Sequence, residues 1–171
     1  MEVEIPDDRE PAAIAAALEL AYADRPARGD VVELARATLA ETTAFVRQRD
    51  FVTVPDEPLE IILMPEFQRG VAVAYCDPPG PLDKGQRTFY AVPPIPADWT
   101  EAQVGSFLSE YNTRSIANLT IHEAMPGHYL QIAHSNRYPS TLRAMLGSCP
   151  FVEGWAVYTE RVMQEQVFVG G

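Results

Sequence analysis

The stretch that most constrains this chain is HEAMPGH, residues 122–128. Its two histidines stand six positions apart with Pro126 and Gly127 between them, and the flanking runs SIANLTI and YLQIAHS read as helix. On a regular α-helix, at about 100° per residue, six positions leave two side chains about 120° apart, so His122 and His128 could not meet at one point. Pro126 has no amide proton for the carbonyl of His122, and its ring clashes with that carbonyl. Gly127 is free to adopt a positive φ. Together they predict a helix interrupted at Pro126-Gly127 by a bulge that absorbs about two residues and returns His128 to the face of His122.

At 171 residues the chain is long enough for one domain with a sizeable core. Its 47% hydrophobic and 22% charged residues are the balance of a globular protein rather than a disordered one. A net charge of -11, from 24 acids against 13 Lys plus Arg with no basic cluster, argues against nucleic acid as a partner. Cys76 and Cys149 are far apart and show no CxxC spacing, so free thiols are expected rather than a disulfide or thiolate site. No apolar run approaches the ~20 residues of a membrane span, and MEVEIPDDREP carries no apolar leader.

The coarse reading is an α+β fold, mainly helical, with helices around a small, mostly antiparallel sheet. Residues 1–50 read as a helical hairpin of PAAIAAALELAY and VVELARATLAETTAFVRQR, the second opened by an Asp30/Glu33 cap pair. Residues 51–99 hold the β-type runs FVTV, LEIILM, GVAVAYC and RTFYAV between Pro-rich loops. Residues 100–171 form a helical metal-site region: a helix opened by a Thr100/Gln103 capping box, the interrupted helix, TLRAML behind Ser140, and FVEGWAVYTERVMQEQVF. The last helix spreads Phe151, Trp155, Val162 and Phe168 over more than one face, as an element meant to be covered on several sides.

Glu123 follows the first histidine directly, where a carboxylate could take a proton from a water that a metal has acidified to a pKa of about 7. Such a site needs three protein ligands. Glu153, at the start of the last helix and 25 residues after His128, is the best third candidate. Glu160 lies seven positions on, on nearly the same face, where it could orient a ligating histidine or meet substrate; Tyr158 is a further candidate for such a role. His134 follows a full helical stretch and is a weaker ligand candidate. The plainer reading stays open: a helix break with solvated histidines, Glu153 as a helix-start acid favoured by the dipole, Glu160 as a surface carboxylate, and Trp155 and Tyr158 as core.

TIHEAMPGHYLQ followed by EGWAVYTE, with RGVAVAYCDPPGP and RTFYAVPP upstream, resembles the bacterial family known as domain of unknown function 885, which is grouped with the gluzincin-like zinc metallopeptidases of the MA clan. The resemblance runs from about residue 55 to 167. It implies that His122, His128 and Glu153 bind Zn²⁺ and that Glu123 is the general base, a set also similar to that of the carboxydipeptidase branch of the clan. The implied function is zinc-dependent hydrolysis of short peptides, with a carboxypeptidase as one form. The peptide substrate would align on GVAVAYC or RTFYAV as an edge strand. Two features depart from the pattern. Val157 stands where clan relatives often carry an acid, a role that Glu160 could take over, and family members are much longer, so this chain resembles their central catalytic piece. The rival readings are a zinc-binding fragment with an incomplete cleft, and a structural or interaction domain without metal.

Overall fold

The computed structural model describes residues 11–70, 72–83, 85–166 and 168. In chain order the elements are α1 (Pro11–Ala23), α2 (Val31–Arg49), β1 (Leu59–Leu63), β2 (Tyr75–Asp77), β3 (Thr88–Val92), α3 (Glu101–Glu110), α4 (Thr113–Glu123), α5 (His128–Arg137), α6 (Thr141–Met145) and α7 (Cys149–Glu165). The fold is α+β and mainly helical, as the sequence predicts.

The sheet itself is mixed rather than mostly antiparallel. Its order is β1-β3-β2. β1 runs parallel to β3, with Leu59 opposite Thr88 and Leu63 opposite Val92, and β2 runs antiparallel, with Cys76 opposite Tyr90. Parallel neighbours need a long crossover, and here residues 64–87 supply one that contains β2 itself. RTFYAV is therefore the central strand and not an edge. The edge that GVAVAYC contributes is short, Tyr75–Asp77. FVTV forms no strand; Val52 and Val54 pack instead against the lower core.

α2 is the spine of the molecule. Its buried residues Val31, Ala35, Thr38, Thr42 and Val46 recur at helical spacing along one face. The upper end joins a core of Ile61, Tyr90, Val92, Val104 and Ile116. The lower end joins a second core of Ile121, Met125, Tyr129, Leu130 and Met163. The expected Asp30 cap does not form: Asp30 has helical angles (φ −97, ψ −5) and makes no side-chain cap bond. Glu33 pairs with Arg36 at 3.5 Å instead. Nor do α1 and α2 close as a hairpin, because α1 packs chiefly on α3 while α2 packs on α4 and β1. The capping box on α3 forms as predicted, Thr100 Oγ1 accepting from Gln103 N and Gln103 Oε1 from Thr100 N.

The interruption lies between α4 and α5. Asn112 caps α4 by accepting from the amides of Arg114 and Ser115. At the other end Met125 N reaches back five residues to Thr120 O (3.1 Å), and Gly127 N reaches back six to Ile121 O (2.9 Å). A regular helix spans four, so two residues are absorbed by the bulge. The peptide bond before Pro126 is cis. Gly127 is not in the positive-φ region expected for it; its angles are φ −76, ψ −129. Glycine is needed for space, since a Cβ there would lie 1.8 Å from the carbonyl oxygen of His122. Gly127→Ala should cost more than about 2 kcal/mol, measured by urea unfolding; a stability equal to the parent would remove this close approach as the reason for glycine.

Candidate metal centre

Three elements meet at the break. α4 presents His122 in its last turn, α5 opens on His128, and α7 brings Glu153 across from its first half. The imidazole rings of His122 and His128 lie 4.7 Å apart between centroids and nearly perpendicular. Glu153 Oε2 stands 3.7 Å from His122 Nε2 and 3.6 Å from His128 Nε2. One donor atom from each of the three falls within 4.8 Å of the others. Two imidazole nitrogens and a carboxylate oxygen are a donor set that suits a borderline cation such as zinc. Glu153 is the exposed member, its side chain 64% accessible.

Glu160 accepts from His122 Nδ1 at 2.5 Å, and its other oxygen accepts from Asn118 Nδ2 at 3.0 Å. A proton held at Nδ1 leaves the Nε2 lone pair facing Glu153 and His128. Asn118 escaped the sequence reading, although a signal existed: it lies four residues before His122, on the same helical face. His128 has no equivalent support, and its buried Nδ1 lacks a hydrogen-bond partner among the described residues. Its position is set by the backbone of the break. Trp155 Nε1 donates to Pro126 O at 2.9 Å, tying α7 to that break.

Glu123 is buried and its Oε2 accepts from the amide of Cys76 at 3.0 Å. Nothing in the sequence could have signalled this contact, because it joins α4 to β2 across 47 positions. Burial raises the pKa of Glu123, and Glu153 adds to this; His122 and the Cys76 amide pull the other way. Burial, reinforced by the charge of His122, depresses His128, while Glu153 opposes it. Burial and then Glu123 push the Cys76 thiol up, so at neutral pH it is not a thiolate donor.

The remaining sequence candidates fall elsewhere. His134 Nε2 lies against Thr53 O at 2.8 Å, outside the cluster. Tyr158 is exposed beside Trp155, and Val157 is exposed too. The buried face of α7 is Ala156, Thr159 and Met163, and Phe151 lies off that face, more than half exposed.

The site is thus a histidine–carboxylate cluster built on an interrupted helix. The model of the family described as bacterial protein of unknown function (DUF885) matches residues 4–170, and the chain belongs to that family. A solved structure of a provisionally assigned lipoprotein of unknown function from Shewanella oneidensis is similar, with a TM-score of 0.76 and 36% identity over 95% of this chain. Another, a provisionally assigned lipoprotein from Colwellia psychrerythraea, has a TM-score of 0.65 and 26% identity over 82% of this chain. The chain spans 28% and 22% of the lengths of those two proteins. No curated protein matches it.

Because the folded-state pKa of Glu123 is raised, ionisation of this buried carboxyl opposes folding. Its favourable contribution is complete below the unfolded glutamate value near 4.5 and is lost as pH rises through the folded value. In metal-free protein, Glu123→Gln should therefore raise Tm by a few degrees at pH 7–8, with the gain vanishing towards pH 4. A gain independent of pH in calorimetry would refute this burial cost.

Proposed function

We propose that this chain carries the metal-binding and proton-transfer core of a gluzincin-like, MA-clan zinc peptidase acting on short peptides. The observation that carries the reading is the convergence of His122, His128 and Glu153 with the buried Glu123 next in sequence to a ligand. His122 and His128 would hold Zn²⁺ through Nε2 and Glu153 through a carboxylate oxygen. When bound, zinc supplies a Lewis acid that acidifies a water and polarises a carbonyl.

The chain's own residues supply the rest. Glu160, itself held by Asn118, fixes the tautomer and the ring plane of His122. Glu123 keeps Oε2 on the Cys76 amide, which leaves Oε1 to take a proton from the attacking water and return it to the leaving amine. Burial makes the ionised form a stronger base than an exposed glutamate. β2 is an edge strand. Since the amide of Cys76 points to Glu123, its carbonyl points to the same outer side. A peptide laid along that edge would accordingly pass close to the base.

A second reading is zinc binding without hydrolysis. It is favoured by the exposure of Glu153, whose side chain is 64% accessible and so is not enclosed by the rest of the cluster. Zinc content by mass spectrometry and cleavage of a mixed peptide library separate the two. The peptidase reading expects about one zinc per chain, lost in His122→Ala and Glu153→Ala. It also expects Glu123→Gln to keep the metal while hydrolysis falls by roughly 10²–10⁴. Stoichiometric zinc without any cleavage selects the second reading, and unchanged zinc in the ligand variants refutes both.

The orienting chain has its own signature. Glu160→Ala and Asn118→Ala should each weaken zinc binding, the former by roughly 10–100-fold, in competition with a chromophoric chelator. Wild-type affinity in both would assign these residues a merely structural role.

A further inference from the structure

The helices α5 and α7, which carry His128 and Glu153, also wall a cavity of about 760 Å³, within the range of small-ligand pockets. Its walls continue the elements that carry the centre. The loop from Pro78 to Pro81 follows directly on β2, whose Cys76 amide holds Glu123. Leu130 and Gln131 come from the first turn of α5, the helix that His128 opens. Phe151, Val152 and Trp155 come from α7 on either side of Glu153. Trp155 links the two sites physically, because its indole nitrogen donates to the Pro126 carbonyl.

The lining has a distinct charge character. Among the described residues, no aspartate or glutamate lines this cavity. Arg143 does line it, with its guanidinium 4.5 Å from the centroid of the Tyr138 ring, another lining residue. Apolar walls favour an apolar body, and a cation with no carboxylate beside it among the described lining residues favours an anionic end. Gln131 is held in this wall by its own hydrogen bond, Nε2 donating to Ser135 Oγ at 2.7 Å.

Resting on the peptidase reading, we infer that this cavity receives the carboxy-terminal residue of a peptide substrate, an apolar or aromatic side chain between α5 and α7 with its α-carboxylate on Arg143. The substrate class is then short peptides with a free, apolar carboxy terminus. The peptide carboxylate stays intact; the bond that breaks is an amide further along the chain, with water adding its hydroxyl to the carbonyl carbon and its proton to the amine.

Binding can be read without zinc or hydrolysis. The metal-free 171-residue chain is titrated calorimetrically with acetyl-Ala-Ala-Phe as the free acid, with its carboxy-terminal amide, and with decanoate. The acid should bind roughly tenfold or more tightly than the amide, as expected for a lost charge-assisted hydrogen bond. Arg143→Gln should bring the acid down to the affinity of the amide and leave the amide unchanged. Gly147→Leu should weaken both peptides, since Gly147 lines the cavity and a Cβ there meets no atom within 4 Å. Equal binding of acid and amide, or an acid preference that survives Arg143→Gln, overturns the assignment. Binding of decanoate without the peptide acid also overturns it, in favour of a lipid carboxylate. Zinc uptake and cleavage are scored separately on the same preparations. Their absence with the acid preference intact defeats only the peptidase reading, and their presence without that preference defeats only the assignment of the cavity.

Discussion

The contact between Gly127 and the carbonyl of His122 is the constraint from which the rest of the site follows. A proline at 126 denies that carbonyl its helical partner, and the chain answers by running the next residue across it. Only a residue without a Cβ can pass there, at a distance where a Cβ would sit 1.8 Å from the oxygen. The amides of Met125 and Gly127 then find Thr120 and Ile121 in place of their regular partners, so these two donors stay satisfied across the break. With two residues absorbed, α5 restarts in a phase that brings His128 beside His122.

Such a break needs bracing, and the braces come from distant parts of the chain. Met125 is buried in the lower core with Val46 of α2 and Met163 of α7, which anchors the bulge from below. Trp155 anchors it from the side through the carbonyl of Pro126. The sheet contributes from the third direction. Because β3 lies between β1 and β2, the short strand β2 stands at an edge beneath α4, and its Cys76 amide can reach Glu123. A sheet with RTFYAV at the edge would leave this carboxylate buried without that donor, at a cost of about 1–3 kcal/mol or more.

What was legible in the sequence follows from which forces are local. The helices, the Thr100/Gln103 box and the two-residue bulge rest on spacing, capping and the chemistry of proline, all of which act within a few residues. The convergence of His122 and His128 was therefore open to arithmetic. The reason for Gly127 was misassigned because torsional freedom and lack of bulk look alike in a sequence, and only the position of the His122 oxygen separates them. The parallel pairing of β1 with β3, the packing of α1 on α3 and the Cys76–Glu123 bond depend on contacts far apart in the chain. Asp30 shows that a cap-like pair is not sufficient, because its own backbone must leave the helical region first.

The two histidines are held by different means, and this bears on how the centre would respond to change. His122 is fixed by side chains, Glu160 and behind it Asn118, so its orientation can be altered without touching the backbone. His128 has its Nδ1 buried and unpartnered among the described residues and takes its direction from the break and the helix that starts there. Substitutions around Glu160 should act on the basicity and tautomer of one imidazole, whereas substitutions around Pro126, Gly127 or Trp155 should act on the distance between both. Trp155 belongs to the second group and also walls the cavity. The same indole therefore faces the cavity and holds the Pro126 carbonyl, so a substitution at Trp155 should be felt on both sides.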